Sequence, residues 1–315
     1  MKFALCNELF DDRPLEEAIH HIADLGYDGV EIAPYTISKS VLDVSASQRE
    51  SIRRSVEDAG LEMVGLHWLL VTPEGLHINH TCAHIRRKTI DYLNALVHFC
   101  ADLGGTVMTL GSPKQRDIAS DIPSSQAEAY FIEALREIGE VAKIRDVVVC
   151  LEPLPPGETN FLNTADETIR MVKAIDHPHV RMMLDVKSMC SEGKPLPDII
   201  RMSAPYVRHF HANDVNLKGP GFGDVDFVPI FNALRDIEYS GFVSVEVFDY
   251  SPGRLELAAK SIEYMKKAFR QRPTLPHRYR CSTIGAGGLN FCVRDGNRCC
   301  PSAITTGKLI HLFAP

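Results

Sequence analysis

Four residues that can bind a metal ion recur at regular intervals in the second half of the chain. Glu152 lies in VVVCLEPL, Asp185 in VRMMLDVK, His211 in VRHFHAND and Glu246 in FVSVEVFD. Three carboxylates and one imidazole suit manganese, magnesium or cobalt better than a structural zinc, which prefers thiolates in a closed tetrahedron. A single residue of this kind is better explained by a salt bridge or hydrogen bond at a strand end, so only the spacing of all four can indicate a metal site.

The spacing of the four residues matches the repeat of a strand, a loop and a helix. They are separated by 33, 26 and 35 residues, and each follows a short apolar run. In a closed barrel of parallel strands, the carboxyl ends of the strands meet at one face, where active sites lie. The sequence therefore predicts that the four side chains hold one divalent cation, with positions left open for a substrate. We expect manganese, with magnesium, cobalt or zinc as alternatives.

The rest of the body supplies the elements that this arrangement needs. Apolar β-branched runs alternate with segments of helical period, which is typical of parallel strands joined by helices. The predicted strands are Phe3–Asn7, Gly29–Ala33, Glu62–Leu69, Thr106–Leu110, Val147–Pro153, Val180–Asp185, Val207–Ala212 and Phe242–Phe248. The predicted helices are Pro14–Leu25, Ala46–Ala59, His84–Leu103, Gln126–Lys143, Ala165–Ala174, Pro197–Ser203, Phe227–Ile237 and Leu255–Arg270.

Eight strand and helix pairs predict an α/β fold of the (β/α)8 TIM barrel type. An open doubly wound sheet also alternates in this way, but it usually has fewer strands and a glycine-rich turn after the first one. Here that turn reads Asn7-Glu8-Leu9-Phe10. The closed barrel is therefore favoured.

Composition restricts the partners and the location of the protein. The net charge of -7 over 315 residues argues against a nucleic-acid partner, because phosphate binding needs clustered Lys and Arg. No stretch approaches the roughly 20 apolar residues of a membrane span, and the first residues become acidic too early for a signal peptide. Five cysteines scattered singly through apolar segments are typical of a reducing compartment. We expect a cytoplasmic protein that acts on a small molecule.

The segment from 274 to 315 differs in composition from residues 1–273, which form the predicted barrel domain. It has no amphipathic period, and it carries five basic residues against one acidic residue, so the body holds a net charge of -11. Its four cysteines would allow a zinc site, but they contain no CxxC pair. They are Cys281, Cys292, Cys299 and Cys300. We expect a disordered or non-native tail instead.

Several motifs resemble those of one enzyme superfamily over residues 1 to 270. They are CNELF, GYDGVEIAP, GLHWLL, GSPKQR, LEPLPPGETNFLNT, MMLDVK, HFHANDVNLKGPGFGDVDF and VSVEVFDYSPG. The chain resembles the sugar phosphate isomerase and epimerase superfamily with the xylose isomerase-like barrel, which includes ketose 3-epimerases, hydroxypyruvate isomerases and inosose-processing enzymes. The resemblance places the family's metal ligands on the same four residues.

The resemblance also implies a reaction. In ketose epimerases the two glutamates act as acid and base, which here would be Glu152 and Glu246. A divalent cation bridging a carbonyl and its neighbouring hydroxyl would stabilise the enediolate formed when the proton between them is removed. We therefore expect a metal-dependent isomerase or epimerase of a small keto-sugar, or of a related polyol or keto acid, with Glu246 as base and Glu152 as its partner.

Four further residues are predicted to contact the substrate. Glu158 matches an acid that in such epimerases supports the first glutamate or binds the substrate. His67 ends the third predicted strand, although it could equally be satisfied within the barrel wall; Asn7 and Glu31 end the first two strands and are comparable candidates. Lys187 and Lys114 could bind a carboxylate or phosphate, or form ordinary salt bridges.

Two departures from the ketose 3-epimerase pattern leave the substrate open. Those enzymes typically carry a His three residues after the Asp ligand and an Arg six residues after the His ligand, and here the positions hold Ser188 and Leu217. A dehydratase of inososes, which is a lyase, begins with the same proton removal and remains an alternative. A multi-zinc DNA-repair endonuclease would need more His ligands and a basic face, and a sugar-binding regulator would need no metal. The oligomeric state is also open, a homo-oligomer included.

Overall fold

Eight parallel strands close into a barrel in a computed structural model, which describes residues 1–271, 293–294 and 297–298. Each strand pairs with the next along the chain, and the last pairs with the first through Lys2 to Leu5 and Phe242 to Val245. The strands are β1 (Lys2–Cys6), β2 (Gly29–Ile32), β3 (Glu62–Leu66), β4 (Val107–Leu110), β5 (Val148–Leu151), β6 (Val180–Asp185), β7 (Val207–Ala212) and β8 (Phe242–Val245). The predicted (β/α)8 barrel is confirmed.

Nine α-helices lie within the described residues, and eight of them match the predicted ones to within two residues at either end. They are α1 (Leu15–Asp24), α2 (Ala46–Asp58), α3 (Ala83–Asp102), α4 (Ser124–Ile144), α5 (Ala165–Ile175), α6 (Val186–Cys190), α7 (Leu196–Ser203), α8 (Phe227–Asp236) and α9 (Arg254–Arg270). Short 3-10 turns follow β1, β2 and β4 at Asn7–Phe10, Pro34–Thr36 and Pro113–Gln115, and another, Val41–Asp43, precedes α2.

The main differences from the predicted elements lie at the carboxyl ends of the strands. The prediction extended β3 to Leu69 and β8 to Phe248, whereas the strands end at Leu66 and Val245. After β3 the chain turns at Trp68, which has a φ of 52°. Helix α6 was not predicted, and it begins directly after Asp185, whose side chain accepts a hydrogen bond from the backbone N–H of Ser188. Strands β3 and β8 therefore end earlier than the apolar residues after them predicted.

The helices cover the barrel with the apolar faces that their period predicts. In α1 the stripe Ala18, Ile19 and Ile22 is buried. Three phenylalanines from β1, α8 and α9 pack edge to face, with ring centroids 5.6 to 5.8 Å apart: Phe3, Phe231 and Phe269. Each such pair stabilises the packing by about 0.5–1.5 kcal/mol beyond the burial of its area. Helices α8 and α9 therefore pack against β1, the strand that closes the barrel with β8.

The compact unit that contains the barrel is Met1–Gln271. The predicted tail and its cysteines lie outside the described residues, apart from two short antiparallel strands, Val293–Arg294 and Asn297–Arg298. Within the part of the chain that the structure describes, no helix has the length and apolar character needed to span a membrane.

Candidate metal centre and active site

The four predicted metal ligands come together at the carboxyl ends of the last four strands. Glu152 directly follows β5, Asp185 is the last residue of β6, His211 lies next to the end of β7, and Glu246 directly follows β8. One donor atom from each residue lies within 4.8 Å of the others, and all four side chains are buried. Nδ1 of His211 is 3.1 Å from Oε2 of Glu246. The structure therefore places one imidazole and three carboxylates around a common point.

The electrostatics of this centre fit a bound cation. Burial, together with Glu246 and Asp185, raises the pKa of Glu152 to about 8. Burial and Glu246 also raise the pKa of Asp185 above its ordinary value. Like charges held this close favour protonation of one partner, and a divalent ion removes that repulsion. Hard oxygen donors with one imidazole match the preferences of manganese, magnesium and cobalt.

Asp185 is held by hydrogen bonds to both of its oxygens. Oδ1 accepts from the backbone N–H of Ser188 at 2.8 Å, and Oδ2 accepts from the side-chain amide of Asn213 at 2.5 Å. The oxygen of the same amide accepts from the backbone N–H of Lys187 at 2.8 Å. The carboxylate is therefore fixed in orientation by the first turn of α6 and by the residue that follows β7.

His211 is held from the interior of the barrel by Glu31. Nε2 of His211 lies 3.2 and 3.3 Å from the two oxygens of Glu31, and Nε2 of His209 lies 2.7 Å from one of them. Burial alone would raise the pKa of Glu31, but His209 and His211 lower it well below its usual range. A carboxylate on the far nitrogen of a metal-binding histidine fixes the ring tautomer and its direction. Nδ1 of His211 is therefore available to bind a cation at the centre.

A second carboxylate and histidine pair lies beside the centre. Nε2 of His67 is 2.7 Å from Oε2 of Glu8, and both side chains are buried. Nδ1 of His67 has no hydrogen-bond partner among the described residues. Burial alone would lower the pKa of His67, but Glu8 raises it above its ordinary value. His67 is therefore satisfied within the wall on one side and retains a free ring nitrogen on the other.

A cavity of about 530 Å³ opens over the centre. Four of the residues predicted to contact the substrate line it, together with Glu152 and Glu246: His67, Lys114, Glu158 and Lys187. The comparable candidates Asn7 and Glu31 are not among its lining residues; Asn7 bonds Thr36 and Ala33, and Glu31 holds His211. Nζ of Lys187 lies 2.7 Å from Oε1 of Glu158 and 4.4 Å from the centroid of the Phe248 ring. Lys114 is exposed. The cavity wall thus carries Lys187, which is ion-paired with Glu158, and Lys114, which is exposed to solvent.

Residues 19–268 match the family model described as xylose isomerase-like TIM barrel. The chain belongs to this family. D-psicose 3-epimerase of Agrobacterium fabrum is 27% identical over 241 residues, which cover 75% of this chain and 80% of that enzyme. D-psicose 3-epimerase of Ruminiclostridium cellulolyticum is 39% identical over 117 residues, which cover only 37% of this chain and 40% of that enzyme.

Solved structures of the xylose isomerase-like barrel superpose on the described fold. The crystal structure of D-psicose 3-epimerase from Clostridium cellulolyticum H10 with D-tagatose has a TM-score of 0.76 at 24% identity, and the match covers 85% of this chain and 99% of that one. At this identity the likeness establishes the fold alone.

Within this barrel, Glu152 is positioned by two residues of the loop after β4. Arg116 is buried, and its guanidinium donates to the carbonyl oxygens of Glu152 at 2.7 Å and Leu110 at 3.3 Å. Burial lowers the pKa of Arg116 to about 10. A Cβ atom on Gly111 would lie 2.2 Å from Oε2 of Glu152. The carboxylate of Glu152 therefore packs directly against the backbone of Gly111, and a side chain at position 111 would occupy its place.

Sequence reasoning missed several residues that hold the centre. Glu8, Asn213, Arg116 and Trp68 contact the predicted residues, but none was assigned a role from its spacing. Trp68, which follows His67, donates from its indole nitrogen to Oε1 of Glu246 at 2.8 Å across a separation of 178 residues. The available signal was their location in the motifs NEL, HAND, GSPKQR and GLHWLL at strand ends.

Proposed function

We propose that the chain is a divalent-metal-dependent epimerase or isomerase of a small keto-sugar. The observation that carries the proposal is the set of four donors within 4.8 Å of one another, two of which, Glu152 and Glu246, line a cavity of about 530 Å³. A cavity of this size is suited to a small molecule. The two relatives named above, both D-psicose 3-epimerases, support an epimerase.

Glu152, Asp185, His211 and Glu246 would hold the cation, and manganese is the ion that we propose. When bound, it would supply positive charge that stabilises the enediolate, and so would acidify the proton on the carbon next to the substrate carbonyl. The protein supplies the fixed directions of the donors through Glu31, Ser188 and Asn213.

The proton itself would be moved by the two glutamates at the cavity floor. Glu246 removes it as general base, and Glu152 returns a proton, with the roles exchanged in the reverse direction. Delivery to the opposite face of the same carbon gives epimerisation, whereas delivery to the neighbouring carbon gives aldose-ketose exchange. Both carboxyl groups are almost fully buried, and they line the cavity through which a substrate would reach them.

The remaining polar groups of the cavity would orient the sugar. His67 lines the cavity, and Nδ1 of its ring has no hydrogen-bond partner among the described residues, so we assign it a substrate hydroxyl. Glu158 and Lys187 form one ion pair on the wall and offer both an acceptor and donors. Lys114, at the exposed edge, can meet the far end of a longer substrate.

The test is solvent exchange by the full chain loaded with Mn²⁺ in D2O. The substrates would be a panel of ketoses, two inososes and hydroxypyruvate, and the readout is deuterium at the carbon next to the carbonyl. Exchange with a ketose, with an epimer or aldose as product, supports the proposal. Loss of water from an inosose would indicate a lyase instead. If no panel member exchanges and a phosphodiester is cleaved, the proposal is wrong.

A further inference from the structure

Trp68 has a backbone conformation that bulky residues seldom adopt. It lies two residues after the end of β3, and its φ of 52° falls in the left-handed region. A tryptophan there is strained, because its Cβ approaches its own backbone, and such strain persists only where the surroundings enforce it. The neighbouring structure therefore holds this side chain in one place at the edge of the cavity.

The indole ring is held by one hydrogen bond and lies beside two aromatic rings. Nε1 donates to Oε1 of Glu246 at 2.8 Å. The ring centroid lies 6.0 Å from that of Tyr35 and 6.1 Å from that of Phe248, while 37% of the residue remains exposed at the cavity. Trp68 is also the single tryptophan of the chain. Its hydrogen bond thus connects a rigid ring with one of the four donors.

The two oxygens of Glu246 have different neighbours. Oε2 lies 3.1 Å from Nδ1 of His211, on the side of the metal centre, whereas Oε1 accepts from Trp68. The last torsion of a glutamate side chain is broad, so an unrestrained carboxylate can turn and offer both oxygens to one cation. The indole N–H opposes that rotation because it holds Oε1 at the cavity wall.

We propose that Trp68 is a positioning residue that divides the two oxygens of Glu246, reserving Oε2 for the cation and Oε1 for the substrate proton. This inference rests on the proposed function, in which Glu246 is the base. A carboxylate that binds the cation through both oxygens has less electron density available for a proton. The indole therefore acts on the orientation of the carboxylate, and it does so without contributing to metal binding.

Replacing Trp68 by an aromatic residue that has no N–H donor tests this role. In the full chain, Trp68→Phe keeps an aromatic ring and loses the N–H. We expect kcat for deuterium exchange to fall about 10- to 100-fold, since a misplaced catalytic group costs this much. KM should change by less than about threefold, and the Kd for Mn²⁺ measured by calorimetry should be lower. An unchanged kcat, or equal losses of kcat and Mn²⁺ affinity, would contradict the proposal.

Tyr35→Leu is the matched control for aromatic packing. It removes a neighbour of the indole ring and leaves the hydrogen bond to Glu246 in place. We expect kcat and the Kd for Mn²⁺ to stay within about threefold of the wild-type values. If this variant reproduces the loss seen in Trp68→Phe, packing positions the glutamate and the proposal is overturned.

Fluorescence provides a readout that does not depend on activity. Because Trp68 is the only tryptophan, emission of the full chain should change saturably on addition of Mg²⁺, with the midpoint found by calorimetry. An unchanged spectrum while Mg²⁺ binds would contradict the contact. If the wild-type protein catalyses exchange with none of the tested substrates, the proposed function fails, and with it the role of Oε1 in proton transfer. The positioning of Glu246 by Trp68 is then decided by metal affinity: tighter binding of Mn²⁺ by Trp68→Phe supports it, and unchanged or weaker binding overturns it.

Discussion

The two halves of the barrel contribute differently to the same centre. Strands β5 to β8 carry the four donors, one at or next to each strand end. The first half, β1 to β4, carries no residue of that set, but its side chains contact the donors and the cavity. Glu31 follows Val30 in β2 and holds His211, and Trp68 follows β3 and holds Glu246.

The two halves thus have separate roles: one provides the side chains that would bind the cation, and the other orients those side chains. The second half supplies charge, and its residues would lose the cation if changed. The first half supplies hydrogen bonds that turn those charges toward a common point, so its residues should alter affinity and rate by smaller, separable amounts. The predictions below test that division, beginning with the largest expected effect.

Removal of the metal should abolish the reaction. Three carboxylates within 4.8 Å of one another and of His211 can all be ionised only when a cation offsets their mutual repulsion. After treatment with EDTA we expect no measurable deuterium exchange, and full recovery on addition of Mn²⁺. At about 100 times its Kd, the ion should stabilise the fold by about 2.7 kcal/mol, measured as a higher unfolding temperature. A metal-depleted protein that remains active would show that the second half does not act as a metal site.

The same centre should bind metal more weakly as the pH falls. In the metal-free protein the pKa of Glu152 is about 8, so at pH 7 this carboxyl is mostly protonated. Binding requires the ionised form, and the proton must therefore be released. We expect the Kd for Mn²⁺ to rise between pH 8 and pH 6, with proton release seen in calorimetry in buffers of different ionisation enthalpy. A Kd that is constant over this range would contradict the raised pKa.

Glu246→Gln should nearly stop proton transfer. An amide cannot accept the substrate proton, and general base catalysis contributes about 10²- to 10⁴-fold. We expect exchange at saturating Mn²⁺ to fall about 1000-fold, measured by mass spectrometry. Glu137→Gln is the matched control, because Glu137 is exposed and pairs with Arg87 outside the site. Retention of a tenth of the wild-type rate by Glu246→Gln would assign the base to another residue.

Glu31→Gln should weaken the metal without removing a ligand. An amide nitrogen facing Nε2 of His211 would favour the tautomer that carries a proton on Nδ1, the nitrogen needed at the centre. We expect the Kd for Mn²⁺ to rise about 10- to 100-fold. Nitrogen chemical shifts of His211 in the Mg²⁺-loaded protein should report the change of tautomer.

His209→Gln is the control for this carboxylate, since its amide can still donate to Glu31. Its Kd for Mn²⁺ should stay within about threefold of the wild-type value, even if its unfolding temperature falls. Equal losses in both variants would mean that the interior network supports the fold rather than the tautomer.

The smallest expected effects concern the lysines of the cavity. Lys187→Met removes a mostly buried ammonium from Glu158, and we expect KM to rise about tenfold with a smaller change in kcat, since tenfold corresponds to about 1.4 kcal/mol. Lys114→Met, at an exposed position, should change KM by less than about threefold. Steady-state kinetics with the best ketose would decide. A larger effect at Lys114 would indicate a substrate with an anionic far end.

Much of the fold could be predicted because it repeats locally. Alternating apolar runs define the strands and helices within a few residues, and the donors of the second half recur with the same period. The predicted convergence of Glu152, Asp185, His211 and Glu246 follows from that period alone, since equivalent strand ends meet at one face. Their roles as metal ligands and as acid and base remain predictions.

The supporting contacts could not be predicted in the same way. The hydrogen bond between Trp68 and Glu246 joins residues 178 apart, and that between Glu31 and His211 joins residues 180 apart. Such contacts depend on which side chains point into the barrel and on local irregularities. One example is the register shift between β2 and β3, where Val30 pairs with Met63 but Glu31 pairs with Gly65. No spacing in the sequence encodes these directions.

Gly111 limits how the cavity can be redesigned. It lines the cavity, so a library aimed at new substrates would naturally include it, yet any side chain there would displace Oε2 of Glu152 from its place. Leu217 and Val71 line the same cavity and are partly exposed, with room for change. Directed evolution of altered selectivity should therefore accumulate substitutions at these two positions while position 111 stays invariant.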